Sequence, residues 1–319
     1  MAERAAPWTE PAAPPAEPAA PSTEPAALLP WRPARRGRGP APRAGRRRRW
    51  GVVAAAVLLG LLTAAALAVP LLDPTDQRLV ELAAANRPPS WAHPLGTDEL
   101  GRDLLLRSLY GLRVSLAVGV AAAVVATVLG GLVGLVAGVA GGWVDWLLMR
   151  LIDGMGALPH LLAGIFIVAL FSPGVGAVVV SIGVTHWLST ARIVRSEVLS
   201  LRGRTFVDAA ISGGAGRWRV LRRHLLPGVA PHLALAAVLM VPHAIWHESA
   251  LSFLGLGLPP HLASLGNMIN DGRRTLFAGV WWPSLVPGLF IIAPTLAVSV
   301  LSLWGRDRLN PRRRTELQL

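Results

Sequence analysis

Cysteine and lysine are both missing from this sequence, and charged residues of any kind are scarce. Without cysteine, the chain can form neither a disulfide framework nor a thiolate metal site. Without lysine, every basic side chain apart from histidine is an arginine, and the formal net charge is +13. Charged residues make up only 15% of the chain and hydrophobic residues 53%. This balance is too apolar for an ordinary soluble domain and is typical of a protein that crosses a membrane several times.

The positions of the arginines distinguish between two possible partners of a basic chain. A strongly positive charge can indicate nucleic-acid binding. In this sequence, however, the arginines lie at the ends of long apolar runs, as they do when a membrane protein is anchored on its cytoplasmic side. We therefore expect membrane lipid around the chain and no nucleic-acid partner.

The N-terminal part differs in composition from the rest of the chain. Residues 1–30 are almost all alanine, proline and glutamate, and they cannot bury enough apolar surface to offset the entropy of ordering. An arginine-rich run ending at Arg49 follows, which is either an anionic-lipid site or, as we favour, the positive-inside signal of the first span. Residues 1–49 are therefore predicted to be a disordered and then arginine-rich cytoplasmic tail.

Six apolar segments are predicted to be transmembrane helices of an all-α membrane protein. The first is too long, and too far from the N-terminus, to be a cleaved signal peptide. The second contains glycines four positions apart, which would let helices approach closely. These small residues are Gly119, Gly130, Gly131, Gly134 and Gly138. The predicted spans cover residues 50–72, 114–140, 147–171, 177–188, 232–251 and 285–304.

The distribution of charge favours a topology with both termini in the cytoplasm. Six spans then place residues 73–113 in an extracytoplasmic segment and residues 305–319 in a cytoplasmic tail. Residues 141–146 and 189–231 are also cytoplasmic, so that the charge-rich loop and both tails lie on one side, as the positive-inside rule requires. Arginines on the opposite side disagree with this rule, among them Arg102, Arg107 and Arg113, although nearby carboxylates offset these three in part.

The loop between the fourth and fifth spans contains the stretch "DAAISGGAGRWRVLRRHLLPGV", which begins at Asp208. Its glycines allow a sharp turn between two short helices. The second helix would run from Arg217 to Leu225 and end at Pro227, which lacks an N–H group. Such a helix–turn–helix suits docking into a groove on a soluble partner, although an interfacial helix held by lipid headgroups remains open. The apolar side of the second helix is predicted to comprise Trp218, Val220, Leu221 and Leu225.

The order of acidic residue, two alanines, glycine and a Leu-Leu-Pro ending resembles the EAA loop of bacterial ABC-importer permeases. More specifically, the chain resembles the C-type permease subunit of the dipeptide/oligopeptide/nickel family over residues 50–312, and residues 114–304 correspond to its permease domain. The segments that carry this resemblance are "HPLGTDELGRD" (93–103), "GGWVDWLLMRLID" (141–153), "ARIVRSEVLSLR" (191–202), "ESALSFLGLGLPP" (248–260) and "LNPR" (309–312).

The resemblance implies that residues 203–227 are a coupling loop for ATPase subunits. The coupling residues would be Asp208, Ala209, Ala210, Gly214, Arg217, Leu225, Leu226 and Pro227. Two features depart from the pattern: Asp208 stands where the family has glutamate, and "ISG" at 211–213 replaces a more helical triplet.

The same resemblance implies the partners and the location of the chain. A related permease subunit would complete a heterodimer in the bacterial plasma membrane, and two ABC ATPases and an extracytoplasmic solute-binding protein would join it. The cargo would be a peptide or nickel, because the binding protein normally sets the choice. No cofactor is expected on the chain, and ATP would be bound and hydrolysed by the partners. Consistent with a subunit that is not an enzyme, the sequence has no GxxxxGK[ST] motif.

Two histidines lie four positions apart on the predicted fifth span, which places them on one helix face. We predict that His243, His247 and the adjacent Glu248 line the translocation path, because ionisable groups inside a membrane usually face a cavity or each other. Ligation of a metal cargo by His243 and His247 is an open alternative, as is hydrogen bonding between helices. His186 lies near the end of the predicted fourth span.

Two other classes of protein were weighed against the importer. A membrane zinc protease would need a glutamate directly after the first histidine of H-E-x-x-H, whereas "HAIWHE" places it after the second. A self-contained secondary transporter or channel would be supported by an inverted repeat, which the sequence does not show. Neither class explains the EAA-type loop.

Overall fold

The computed structural model describes residues 44–72 and 79–309, with side chains described from residue 49 onwards except at 70, 72 and 307–309. The predicted disorder of residues 1–43 and the tail beyond residue 309 lie outside the described residues. Residues 44–49 of the predicted N-terminal tail belong to the first helix, and residues 305–309 of the predicted C-terminal tail belong to the last. The helices are α1 Ala44–Leu72, α2 Leu104–Ala140, α3 Gly142–Gly156, α4 His160–Phe171, α5 Val175–Arg202, α6 Thr205–Ser212, α7 Arg217–Val220, α8 Leu226–Phe253, α9 Leu265–Leu276 and α10 Trp282–Leu309.

The described residues confirm an all-α membrane protein. Five helical stretches are long and apolar enough to cross a membrane, and the pair α3 and α4 makes a sixth if it is counted as one span. Within the described ranges there is no strand, only a single bridge between Thr97 and Asp103. The predicted number of six spans therefore holds with the bent pair included.

The third predicted span, residues 147–171, is wrong as a continuous helix. α3 and α4 are bent by 87° at the break between them. Pro159 lies at this break and is the N-cap of α4. Proline lacks an N–H group and disfavours helical geometry in the residue before it, so the helix stops instead of continuing.

Most other helices extend beyond the predicted spans, because polar residues of the predicted loops are helical as well. α2 begins at Leu104, ahead of the expected start at 114, with Asp103 capping its first amides. α5 runs to Arg202, far past the expected end at 188. Its Arg195 forms a bidentate ion pair with Asp145, at 2.5 and 2.6 Å, in the stretch predicted as a short loop, which is instead the first turn of α3.

The glycines of α2 permit close packing against α5, as predicted. A Cβ atom on Gly134 would lie 2.8 Å from the Cβ of Val194, and one on Gly138 would lie 2.7 Å from the Cβ of Val198. Any side chain here would push the helices apart, since the small residues let the two backbones approach. The residue numbers at these contacts increase in the same direction along both helices, so α2 and α5 run parallel.

α8 packs on α2 in the opposite direction. A Cβ atom on Gly119 would meet Ile245, and one on Gly131 would meet Leu233. The end of α2 therefore lies beside the end of α5 and the beginning of α8. Arg202 fixes this end by donating to the carbonyl oxygen of Gly138 at 2.7 Å.

The opposite end of the bundle is closed by a polar cluster around Asp98. Its carboxylate accepts from Arg102 at 2.7 Å and from Arg107 at 2.6 Å, and Arg107 also lies 3.5 Å from Asp271, near the middle of α9. Arg107 is 2% exposed. These pairs explain why two arginines that disagree with the positive-inside rule are tolerated, because a buried charge needs a partner.

Candidate functional site

The loop between α5 and α8 forms a compact unit at one end of the bundle. Asp208, Ala209 and Ala210 lie in α6, and the chain then turns at Gly214 before α7 begins. Gly214 has a φ of +83°, a conformation that residues with a Cβ rarely adopt. No other atom lies within 4 Å of a Cβ built on Gly214, so its backbone conformation, and not space, requires glycine there.

The inner face of this loop packs on the bundle. Val207 of α6, Val220 of α7 and Leu225 are buried in one cluster with Val194 and Val198 of α5. The loop is therefore seated on the ends of the long helices by apolar contact. A displacement of the loop would be transmitted directly to α5, because close-packed interiors transmit strain.

The expectation that Pro227 ends the second loop helix is wrong. α7 continues through a π-helical turn, Leu221–Leu225, directly into α8, and the whole stretch Arg217–Phe253 is one long helix. Pro227 lies inside this long helix, just after the π-helical turn, so the irregular turn and not a helix start accommodates the missing N–H. The wider π turn carries the chain into this position without a break. The loop is thus joined rigidly to the fifth span.

The outer face of the loop combines exposed apolar and cationic side chains. Phe206, Ile211 and Trp218 are between 48% and 66% exposed. Trp218 was predicted to share one apolar side with Val220, Leu221 and Leu225, but it lies on the outer face, apart from the buried Val220 and Leu225, and the Arg222 guanidinium is 5.7 Å from its ring. Of the residues predicted to act in coupling, Leu225 is buried and Ala210 half-buried. The exposed ones are Asp208, Ala209, Gly214, Arg217, Leu226 and Pro227.

A second group of polar residues lies inside the helical bundle. His243 and His247 of α8 come together with His186 of α5, and their ligating nitrogen atoms all lie within 4.8 Å of one another. The ring centroids are 4.3 to 4.9 Å apart. His160, at the start of α4, lies beside them with its ring centroid 5.3 Å from that of His186. We call His186, His243 and His247 the histidine cluster.

Glu248 does not join the histidine cluster, although it follows His247 directly. It is fully buried and its carboxylate accepts hydrogen bonds from serine hydroxyls. The donors are Ser115 at 2.6 Å, Ser252 at 2.8 Å, Ser264 at 2.9 Å and Ser249 at 3.4 Å. These serines come from α2, from α8 and from the segment before α9. The carboxylate thus ties three parts of the chain together.

The sequence did not indicate that His186 meets His243 and His247, or that Ser115 meets Glu248. His186 and His160 belong to other helices, and Ser115 is separated from Glu248 by 133 positions. Fourfold spacing can pair side chains within one helix, but it carries no information about which helices meet. The only available signal was that buried ionisable groups in membrane helices need partners.

Comparison with known proteins places the chain in a family. Residues 130–315 match the family described as binding-protein-dependent transport system inner membrane component. The dipeptide transport system permease protein DppC of Bacillus subtilis is 41% identical, over 77% of this chain and 77% of its own length. The oligopeptide transport system permease protein OppC of the same organism is 35% identical, over 81% and 84%.

Two further proteins are similar to the chain. A probable peptide ABC transporter permease protein of Sinorhizobium fredii is 41% identical, over 77% of this chain and 84% of its own. The crystal structure of an amino acid ABC transporter with histidines aligns with 63% of this chain and 94% of its own, with a TM-score of 0.49 and 17% identity. From the family match and the relatives together, the chain belongs to the binding-protein-dependent transport system inner membrane components and is a permease subunit of an ABC importer.

Proposed function

We propose that the chain forms one half of a peptide translocation path and that the loop at residues 203–227 couples it to ATPase subunits. The peptide assignment is supported by the relatives, which are named for dipeptides, oligopeptides and peptides. A related permease subunit supplies the other half of the path, two ATPases bind and hydrolyse ATP, and a solute-binding protein delivers the cargo.

The observation that carries the coupling role is the two-faced loop. Its inner face is seated on α5, and its outer face presents Phe206, Ile211 and Trp218 among exposed arginines. Exposed apolar residues surrounded by charge are the usual composition of a protein interaction site. A lipid-bound interfacial helix is less well supported, because the second helix continues into a span and does not lie separately on the bundle.

The arrangement of helix ends supports the proposed orientation. Near its C-terminal end, α1 contributes Ala66 to the buried cluster that also contains Leu104, the first residue of α2, at the end of the bundle far from the loop. At the loop end, Gly305 of α10 lies close to Leu235 of α8. The beginning of α1, the loop and the end of α10 therefore share one end of the bundle, which we assign to the cytoplasm. Residues 79–103 and 252–283 then face the binding protein.

The coupling role is tested by a matched pair of glycine substitutions. Gly214 and Gly216 are both exposed and have open space around them, but only Gly214 has positive φ. We expect Gly214→Val to uncouple ATP hydrolysis from uptake in the reconstituted transporter, while Gly216→Val leaves both near the wild-type level. Asp208→Lys should also uncouple them, because it reverses the charge at an exposed position of α6.

The measurement is ATPase activity and labelled-dipeptide uptake in the same proteoliposomes. Normal uptake in both Gly214→Val and Asp208→Lys would contradict the coupling role. The cargo is tested separately, by uptake of labelled dipeptide and of nickel in a deletion strain carrying the wild-type gene. Restored nickel uptake without dipeptide uptake would overturn the peptide assignment and leave the coupling role standing.

A further inference from the structure

The histidine cluster brings together three imidazoles from two helices that are distant in sequence. No hydrogen bond joins the three rings among the described residues, so mutual hydrogen bonding does not account for their proximity. His186 and His247 are each 6% exposed, whereas His243 is exposed. The three imidazoles therefore form a group inside the bundle that is buried on one side and open on the other.

Hydrogen bonding fixes the tautomer of His186. Its Nδ1 lies 3.0 Å from the carbonyl oxygen of Ile182, which can only accept, so Nδ1 carries the proton. The Thr185 hydroxyl, 2.8 Å from the same nitrogen, donates to the carbonyl oxygen of Ser181 and can therefore also accept from Nδ1. This leaves the lone pair on Nε2, an atom that is buried and has no hydrogen-bond partner.

An imidazole with its Nδ1–H held by a carbonyl oxygen and its Nε2 lone pair free is the arrangement that metal-ligating histidines adopt. A buried polar atom without a partner costs free energy, and coordination of an ion would remove that cost. The free Nε2 of His186 is thus a second observation, independent of the spacing of the three rings, that points to a ligand.

The donor set selects the class of ion. Imidazole nitrogen suits Zn²⁺, Ni²⁺ and Cu²⁺, whereas Ca²⁺ and Mg²⁺ require oxygen ligands. The nearest carboxylate in sequence, Glu248, has its oxygens occupied by serine hydroxyls. We infer that His186, His243 and His247 form a binding site for a divalent transition-metal ion between α5 and α8.

The site is accessible through a cavity of about 480 Å³ that is lined by His160, His186 and His243. Tetrahedral coordination at Zn–N distances of about 2.0–2.1 Å sets the nitrogens about 3.3 Å apart. The present spacing of up to 4.8 Å is larger, so the three side chains would have to move closer together when an ion binds. Three protein ligands leave the fourth position open to the cavity, beside His160.

This inference does not depend on the proposed peptide transport, because binding is measured without turnover. The full-length chain, purified in detergent micelles with a histidine-free affinity tag, is titrated with Zn²⁺ against a chelating indicator. Co²⁺ then replaces Zn²⁺, and its visible absorption reports the coordination geometry. We expect one ion per chain and the intense visible bands of tetrahedral Co²⁺.

The variant that decides the matter is His243→Ala, because an exposed side chain can be removed without unfolding the bundle. The control is His261→Ala, which removes an exposed histidine outside the cluster. Loss of an outer-shell partner already costs metal sites about 10- to 100-fold in affinity, so loss of a ligand should weaken Zn²⁺ binding by at least that factor. His261→Ala should bind as the wild type does.

His186→Asn removes the ligand that α5 contributes and should abolish the tetrahedral Co²⁺ spectrum. Equal Zn²⁺ affinity in the wild type and His243→Ala would overturn the site. A wild-type protein that binds no ion, or that shows only octahedral Co²⁺ bands, would overturn it as well.

Discussion

His247 and Glu248 are neighbours on α8 and lie in two polar clusters of opposite character. The carboxylate of Glu248 accepts four serine hydroxyl hydrogen bonds and is fully buried. The histidine cluster contains a buried nitrogen, Nε2 of His186, with no hydrogen-bond partner and opens to a cavity. A polar cluster whose hydrogen bonds are satisfied holds helices together, whereas a cluster with an unused nitrogen lone pair can bind a ligand. Substitutions in the two clusters should therefore affect different properties.

The largest effect on stability is expected for Glu248→Ala. It leaves the serine donors buried without their acceptor and creates a cavity among α2, α8 and the segment before α9. We expect the free energy of unfolding to fall by about 3 kcal/mol or more. The measurement is the thermal unfolding midpoint of the purified chain in detergent micelles.

Glu248→Gln is the matched control for shape. The amide retains one oxygen acceptor and the volume of the side chain, so the free energy of unfolding should fall by only about 1 kcal/mol. Equal stability of Glu248→Ala and the wild type would contradict a structural role for this carboxylate.

An intermediate effect is expected for Ser115→Ala, which removes the shortest hydrogen bond to Glu248 and the one from α2. A typical intramolecular hydrogen bond contributes about 0.5–1.5 kcal/mol to stability, and the other serines keep their hydrogen bonds to Glu248. Ser108→Ala is the control, because Ser108 is equally buried on α2 but its hydroxyl has no hydrogen-bond partner. We expect Ser108→Ala to be neutral or slightly stabilising in the same thermal assay, and a ranking in the reverse order would refute the comparison.

The smallest effect on stability is expected for His243→Ala. The side chain is exposed and forms no hydrogen bond that holds the bundle, so the change in unfolding free energy should stay within about 0.5 kcal/mol. The thermal midpoint should match that of His261→Ala. A large loss of stability at His243 would mean that the histidine cluster is a structural contact like the one around Glu248.

Much of the fold followed from features that are local in the sequence. Apolar length predicted the spans, and glycines at fourfold spacing predicted the close contact of α2 with another helix. The interpretation failed where a local rule was overridden by neighbours. Pro227 was expected to stop a helix, but the helix continues through it, with a π-helical turn just before the proline. Arg195 and Asp145 were assigned to loops, but each neutralises the other on adjacent helices.

The candidate sites also combine features that are local in the sequence with contacts that only the packing of helices creates. The helix–turn–helix of residues 203–227 could be predicted because its residues are contiguous, and contiguous residues share one local structure whatever surrounds them. The separation of Trp218 from Val220 and Leu225 could not be predicted, because which apolar side chains of a segment are buried depends on the surface that the segment meets. Ser115 and His186 could not be assigned to Glu248 and His247 either, since the contacts cross helices.

The amino-acid sequence by itself determined a helical membrane permease with a glycine-hinged basic loop, because hydropathy, turn residues and charge act over neighbouring positions. Only the tertiary structure decided that the serines surround Glu248 and that three histidines converge on one point. The physical reason is that parallel packing of α2 with α5 and antiparallel packing with α8 set the partners of every buried polar group, and no local pattern encodes which helix faces are pressed together.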